Sequence, residues 1–295
     1  MSTEHDATTS SSATTQQTFL APPGTVEEAS GIRDRAEKAS LRNNVARRLP
    51  LFGARLAVLF GLIALWQLVV TFKLADETVT SRPSAVGSYL LSAMGDSSFW
   101  SNLWATLEAT LIAFVLASAV GIIVGISLGL LPTVERVVDP FLSAFNAMPR
   151  IALAPVFIVA FGLTLQAKLA VAFTIVVFIV ITSARAGVRS VDNDIMRLST
   201  VLGANRRQLF VKVMTPTAIP SIFGGLRLGV IYSLLGVVTA ELIGSNNGIG
   251  QMLQQASGVF ETDHVWGLLI VLAVVAATIN AVMAAVERRL LRWQQ

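Results

Sequence analysis

The stretch Ile195–Pro216, IMRLSTVLGANRRQLFVKVMTP, decides how the rest of the chain is read. Ile195, Leu198 and Leu202 before Gly203, and Leu209, Phe210 and Val213 after it, recur at helical spacing, while Arg197, Arg206, Arg207 and Lys212 project elsewhere. The pattern predicts a polar-faced helix, a glycine turn and a second helix. With long apolar runs on both sides, the segment is too charged to cross a bilayer and too amphipathic to be a slack loop. On spacing alone two readings stand: an interfacial helix that connects two spans, or a segment built to be gripped by a partner.

The 295 residues are 54% hydrophobic and 14% charged, with a mean hydropathy of +0.67, which is too apolar for an ordinary soluble domain of this length. The composition implies an all-α integral membrane protein. The net charge of +4 is not gathered into one patch, so nucleic acid is a poor partner. The absence of cysteine excludes disulfides and thiolate metal sites.

Residues 1–30 are rich in Ser, Thr, Gln and Ala and predict a disordered tail, because they cannot bury enough apolar surface to offset the entropy of ordering. Residues 31–50 form a basic collar with Arg33, Arg35, Lys38, Arg42, Arg47 and Arg48. No apolar run of signal-peptide type occurs in the first fifty residues, so the first span is expected to act as its own insertion signal. The apolar core, 51–293, holds about six predicted spans: 51–72, 106–131, 141–163, 169–184, 218–242 and 265–286. Residues 73–104 read as a mixed outer loop, and Glu135, Arg136 and Asp139 as a short inner turn. The β-branched fourth span reads as a lipid-exposed helix.

Small residues mark close packing. Gly121, Gly125 and Gly129 form a stripe on the second span, and Gly225 and Gly229 a pair on the fifth. Such residues let helix backbones approach, within the subunit or at a dimer seam. Polar groups in the apolar runs are candidates for a translocation path. Arg150 and Arg227 either face a wet path or sit at the inner headgroups, and Glu241 ends the fifth span. Gly244–Gln255, GSNNGIGQMLQQ, suits a re-entrant turn or gate. The outer loops hold only Lys73, Arg82 and Lys168 among the cations, which places both termini in the cytoplasm.

No phosphate-binding loop of the form GxxxxGK[ST] is present, and the histidines, His5 and His264, cannot form a metal cluster. The chain has no GxSxG nucleophile either, so ATP is not bound by the phosphate-loop route and would need a partner, and an intramembrane hydrolase is disfavoured.

Gly203, nine residues, Val213, one residue, Thr215 and Pro216 resemble the second half of the cytoplasmic EAA loop of ABC-importer permeases. The E-A-A positions themselves hold Arg197, Leu198 and Ser199, so the acidic residue of that loop is missing. Together with Pro149–Gly162 (PRIALAPVFIVAFG), Gly187–Asp192 (GVRSVD), Leu202–Asn205 (LGAN), Pro216–Gly229 (PTAIPSIFGGLRLG), Ala240–Gly244 (AELIG), GIGQ and Glu287–Trp293 (ERRLLRW), the chain resembles the nitrate/sulfonate/taurine type of ABC-importer permease.

The resemblance implies a type I importer permease fold in a bacterial cell membrane, working as a homodimer. A cytoplasmic ATP-binding subunit would hold ATP and magnesium, leaving no cofactor in this chain, and an extracytoplasmic binding protein would deliver a small, mostly anionic solute. Arg197, Leu198, Leu202, Gly203, Ala204, Val213 and Pro216 would then serve coupling to the ATPase. A secondary transporter or channel is the other class in play. It would need an ion-coupling carboxylate within a span, and Glu108 and Glu241 are the candidates.

Overall fold

The computed structural model describes residues 57, 58, 60–72 and 80–292. The predicted tail and basic collar, positions 51–56 and 59 of the first predicted span, residues 73–79 and Trp293 lie outside the described residues. By compactness the chain from Leu65 onward forms one unit, separate from Met1–Ala64.

Among the described residues every regular element is helical. In chain order they are α1 (Phe60–Thr71), α2 (Pro83–Ala93), α3 (Ser97–Leu130), α4 (Pro132–Ala147), a 3₁₀ turn (Arg150–Leu153) running into α5 (Ala154–Phe161), and α6 (Leu165–Arg189). Next come α7 (Asn193–Val201), a short turn (Arg206–Gln208) and π-helical segment (Leu209–Met214) leading into α8 (Thr215–Ile243), then α9 (Ile249–Gly258) and α10 (Thr262–Leu290). α3, α6, α8 with its lead-in, and α10 are long and apolar enough to cross a membrane. The bent pair of α4 with the 3₁₀ turn and α5 brings the number to as many as 5 among the described residues.

Several elements depart from the sequence-based expectation. Residues 83–93 and 97–104 are helical where an outer loop was expected. α3 starts early because the Asp96 side chain caps it, accepting from Ser98 N–H at 2.8 Å. At about 1.5 Å per residue its 34 residues outrun a hydrocarbon core of about 30 Å, so its polar first turns need not lie in lipid.

Glu135, Arg136 and Asp139, expected in a turn, lie on α4. Pro132 is tolerated in the first turn of a helix, and an acidic residue there suits the helix dipole. The predicted third span, which Asn146, Pro149, Arg150 and Pro155 interrupt in the sequence, is broken by an 81° bend between α4 and the helix that follows. Met148 is extended (φ −68°, ψ 136°) because Pro149 follows it, and Pro149 brings no N–H to continue the helix.

The largest correction concerns α6, expected to face lipid. It is the centre of the fold, with Val171, Ala172, Val176 and Val180 fully buried between α3 and α8. Its valines pack against Ala117 and Leu128 of α3 and, further along, Ala172 meets Ala109, Ala113 and Val237. β-branched side chains with one favoured rotamer lose little on burial, so the same composition suits a core helix as well as a lipid-facing one. The glycines permit the approach. A Cβ on Gly125 would lie 2.6 Å from the Ile181 carbonyl oxygen, and one on Gly225 2.3 Å from Ser183 Cβ. Gly121 and Gly129 face Val180 and Val188 of α6, and Gly229 faces Val176. The outward apolar surface is left to helices such as α10, where Val274, Val282 and Val286 are exposed.

Candidate functional site

The segment after α6 is built by local hydrogen bonding. Asp192 caps α7, its carboxylate accepting from Asp194 N–H at 2.8 Å. The helix closes when Gly203 turns left-handed at φ +83°, with Gly203 N–H donating to Thr200 O and Ala204 N–H to Ser199 O, each at 3.0 Å. That double bond pattern is the Schellman closure, which glycine adopts without a Cβ penalty. Asn205 then starts the next helix with a reciprocal cap: its Oδ1 accepts from Gln208 N–H at 2.8 Å, and its own N–H donates to Gln208 Oε1 at 2.9 Å.

Leu209–Met214 widens into a π turn directly before Pro216, where a proline has no N–H to keep the α register. Val213 and Pro216 therefore belong to the stem that runs without a break into α8. Ile195, Leu198 and Val201 on α7 and Leu202 at its C-terminal cap are 51–84% exposed, and none of the described residues covers them. Arg197 is exposed on the same short helix.

Sequence reasoning missed the clamp beneath this segment. Glu135 of α4 is buried, and its carboxylate accepts from Arg189 Nη2 and lies 3.3 Å from Arg185 Nη1, which also binds Asp139. The residues were visible, but their partnership depends on α4 being a helix and not a turn. The clamp ties the last turn of α6, from which α7 hangs, to α4.

The polar groups inside the apolar helices separate into distinct environments. Glu241 of α8 is 1% exposed and fully engaged: it accepts from Lys168 Nζ at 2.9 Å, Thr106 Oγ1 at 2.9 Å and Gly250 N–H at 2.9 Å. Lys168 also donates to the Asn247 carbonyl and side chain at 2.7 and 2.8 Å. Gly248, at φ +112°, passes so near that a Cβ there would lie 2.0 Å from Glu241 Oε1. The Gly244–Gln255 segment is accordingly a short loop followed by α9, pinned from below by a buried ion pair.

Arg227 is tied to α10. Its Nε donates to Asn280 Oδ1 at 2.8 Å and its Nη1 lies 3.6 Å from Glu287. Arg150 stands apart at the bend after α4. Its Nη2 donates to Asn146 Oδ1, its Nη1 to the Ile175 carbonyl at 3.2 Å, and its guanidinium lies 4.4 Å from the centre of the Phe178 ring. It lines a cavity of about 280 Å³ with Asn146, Met148, Ile151, Tyr232 and Leu235. A larger cavity of about 590 Å³ lies beside α9, where His264 is 2.7 Å from Glu261 and 4.1 Å from the Tyr89 ring. Burial, with Asp263, Asp96 and Glu261 close by, raises the pKa of the Tyr89 hydroxyl, so it stays protonated. Among the described residues no group of His, Asp and Glu could hold a metal ion.

Residues 117–293 match the family described as the inner membrane component of binding-protein-dependent transport systems. The chain belongs to this family. It is a permease, a transport subunit and not an enzyme, and it carries several membrane-crossing helices.

Its relatives include the taurine transport system permease protein TauC of Escherichia coli strain K12, 33% identical over 84% of this chain and 91% of TauC. The riboflavin transport system permease protein RibX of Chloroflexus aurantiacus is 32% identical over 79% of this chain and 87% of RibX. The putative aliphatic sulfonates transport permease protein SsuC of Escherichia coli strain K12 is 28% identical over 79% and 89% of the two chains. Among solved structures, the inward-facing MetNI methionine ABC transporter superposes with a TM-score of 0.57 at 19% identity, covering 64% of this permease and 94% of that chain. The likeness establishes the type I importer permease fold.

Proposed function

We propose that this permease forms the translocation path of an ATP-driven importer for a small anionic solute such as a sulfonate, taurine or nitrate. It works as a pair of identical chains, with both termini in the cytoplasm. A cytoplasmic ATP-binding subunit docks on residues 195–216, and a solute-binding protein delivers the solute from outside.

The observation that carries the reading is the bare apolar face of α7, Ile195, Leu198, Val201 and Leu202, held rigid by caps at both ends. An exposed apolar face on a polar helix fits a groove in a soluble partner. Movement of that partner is passed on because Asn205 restarts the helix directly after Gly203 and the stem continues into α8. Closing of two ATP-binding subunits would draw two α7 helices together and tilt α8 against α6, a two-state element biased by nucleotide. The absent acidic residue of the E-A-A positions removes one polar contact of docking, and Arg197 offers a different one. Glu241, one of the two carboxylates that could serve a secondary transporter, is neutralised by Lys168 and saturated with donors, which counts against it as an ion-coupling residue.

The test is affinity purification of the tagged chain in mild detergent, with mass spectrometry and an ATPase assay. An ATP-binding protein at about one copy per permease, lost on alteration of Leu198 or Leu202, is the expected result. A chain that purifies alone and drives uptake from an ion gradient would overturn the reading.

A further inference from the structure

Lys168, Arg185, Arg189 and Arg227 each lie against a carboxylate, so their charges are compensated inside the fold. Arg150 faces no carboxylate among the described residues, and every contact it makes is neutral: an amide oxygen, a backbone carbonyl and an aromatic face. Its Nε–H is buried and meets no acceptor among the described residues. A guanidinium carries five N–H donors in a flat fork, and holding one among apolar helices without a counter-charge costs several kcal/mol, in order of magnitude. The group nevertheless lines an open cavity of about 280 Å³, to which Tyr232 brings a phenol and Asn146 an amide, with Met148, Ile151 and Leu235 as apolar wall.

We infer that Arg150 is the permease's own subsite for the anionic head of the solute, an oxyanion such as a sulfonate, carboxylate or nitrate, with Asn146 positioning the guanidinium. This deepens the proposed function and rests on it for the word solute, but the site itself needs no ATPase. An oxyanion in the cavity supplies the missing counter-charge, and the guanidinium fork suits two oxygens at once. Contact is transient by construction: the neutral partners hold Arg150 in place when the cavity is empty, so release leaves no collapsed ion pair behind. Arg227 and Glu241 do not share this role, because Asn280 and Glu287 occupy the one and Lys168, Thr106 and Gly250 the other.

The test uses the full-length chain in lipid nanodiscs, with whatever subunits purify with it. Two probes of nearly equal shape are compared, methanesulfonate and the uncharged dimethyl sulfone, by saturation-transfer NMR on their methyl protons. Wild type is expected to bind methanesulfonate and not the sulfone. Arg150→Gln should weaken methanesulfonate binding by about 10- to 100-fold, the worth of a charge-assisted hydrogen bond. Asn146→Asp is the second variant, for the case in which Arg150→Gln fails to fold. It gives Arg150 an internal counter-ion, so melting should move upward while methanesulfonate binding is lost. Arg227→Gln should bind like wild type.

Equal binding of the two probes by wild type, no binding of either, or methanesulfonate binding that survives both Arg150→Gln and Asn146→Asp would overturn the subsite. The two proposals fail separately. Charge-dependent binding without a copurifying ATP-binding protein removes the importer reading alone, and a copurifying ATP-binding protein without charge-dependent binding removes the subsite alone.

Discussion

Lys168 Nζ lies 2.9 Å from Glu241 Oε1, with 3% and 0% of the two side chains exposed, joining α6 to α8 directly beneath the loop that leads into α9. The pair is not isolated, since Thr106, Asn247 and Gly250 satisfy the remaining donors and acceptors. Breaking a buried pair from one side leaves a bare charge, which costs about 3–5 kcal/mol, whereas removing both charges together is far milder. Lys168→Met and Glu241→Gln alone should each lower the melting temperature of the detergent-solubilised chain markedly, and the double variant should recover most of the loss. A double variant as unstable as the worse single one would mean that the hydrogen bonds to Asn247 and Gly250, not the ion pair, hold the loop.

Gly203 sits in the left-handed region, where glycine is favoured. At φ +83° an L-residue pays about 1–2 kcal/mol, and proline, fixed near −65°, cannot adopt the turn at all. Proline would also delete the N–H that closes on Thr200 O. Gly203→Ala should keep most of the copurifying ATPase activity. Gly203→Pro should insert into the membrane normally and lose the partner, as read from its stoichiometry on purification. Full retention of the partner by Gly203→Pro would show that the angle between α7 and the stem is irrelevant to docking.

The packing of α6 gives a prediction about stability alone. Beside Gly125 the nearest obstacle is the backbone carbonyl of Ile181, which cannot swing aside, while beside Gly229 the nearest atom is Val176 Cγ1 at 3.2 Å. Gly125→Val should therefore separate α3 from α6 and cost well over the ~1–3 kcal/mol of ordinary overpacking, whereas Gly229→Ala should be nearly neutral. Thermal unfolding of the two purified variants, compared with wild type, checks the order. Equal melting of the two would contradict the close α3–α6 approach.

What the sequence revealed and what it withheld have separate physical causes. Helices whose apolar run continues past about twenty residues were legible, and so was the helix–glycine–helix pattern of residues 195–216, because period and punctuation are local properties. The burial of α6 was not, since valine-rich helices look alike whether they face lipid or protein. The bend after α4 was half legible: Pro149 and Pro155 lie inside the third predicted span, where proline cannot continue a helix undisturbed, but only Met148 in extended geometry shows that the chain turns by 81° and not merely kinks. The partners of Arg227 and Glu241 were closed to sequence reasoning, because Asn280, Glu287 and Lys168 come from helices whose neighbours no local pattern identifies.

The proposed orientation can be checked in the chain as it stands, because it contains no cysteine and every introduced thiol is a unique reporter. Asn246 is exposed in the loop before α9, and Arg207 is exposed just after the Gly203 turn. If cations are retained on the cytoplasmic side, the Gly203 turn with its Arg206, Arg207 and Lys212 lies inside and the Asn246 loop outside. A membrane-impermeant maleimide added to intact cells should then label Asn246→Cys at once and Arg207→Cys only after lysis in a denaturing detergent, which, unlike the mild detergent used for copurification, also strips any docked subunit from residues 195–216. The reverse pattern would put α7 on the wrong side of the membrane for an ATP-binding partner. It would leave the Lys168–Glu241 pair, whose geometry is independent of orientation, holding a loop on the cytoplasmic face.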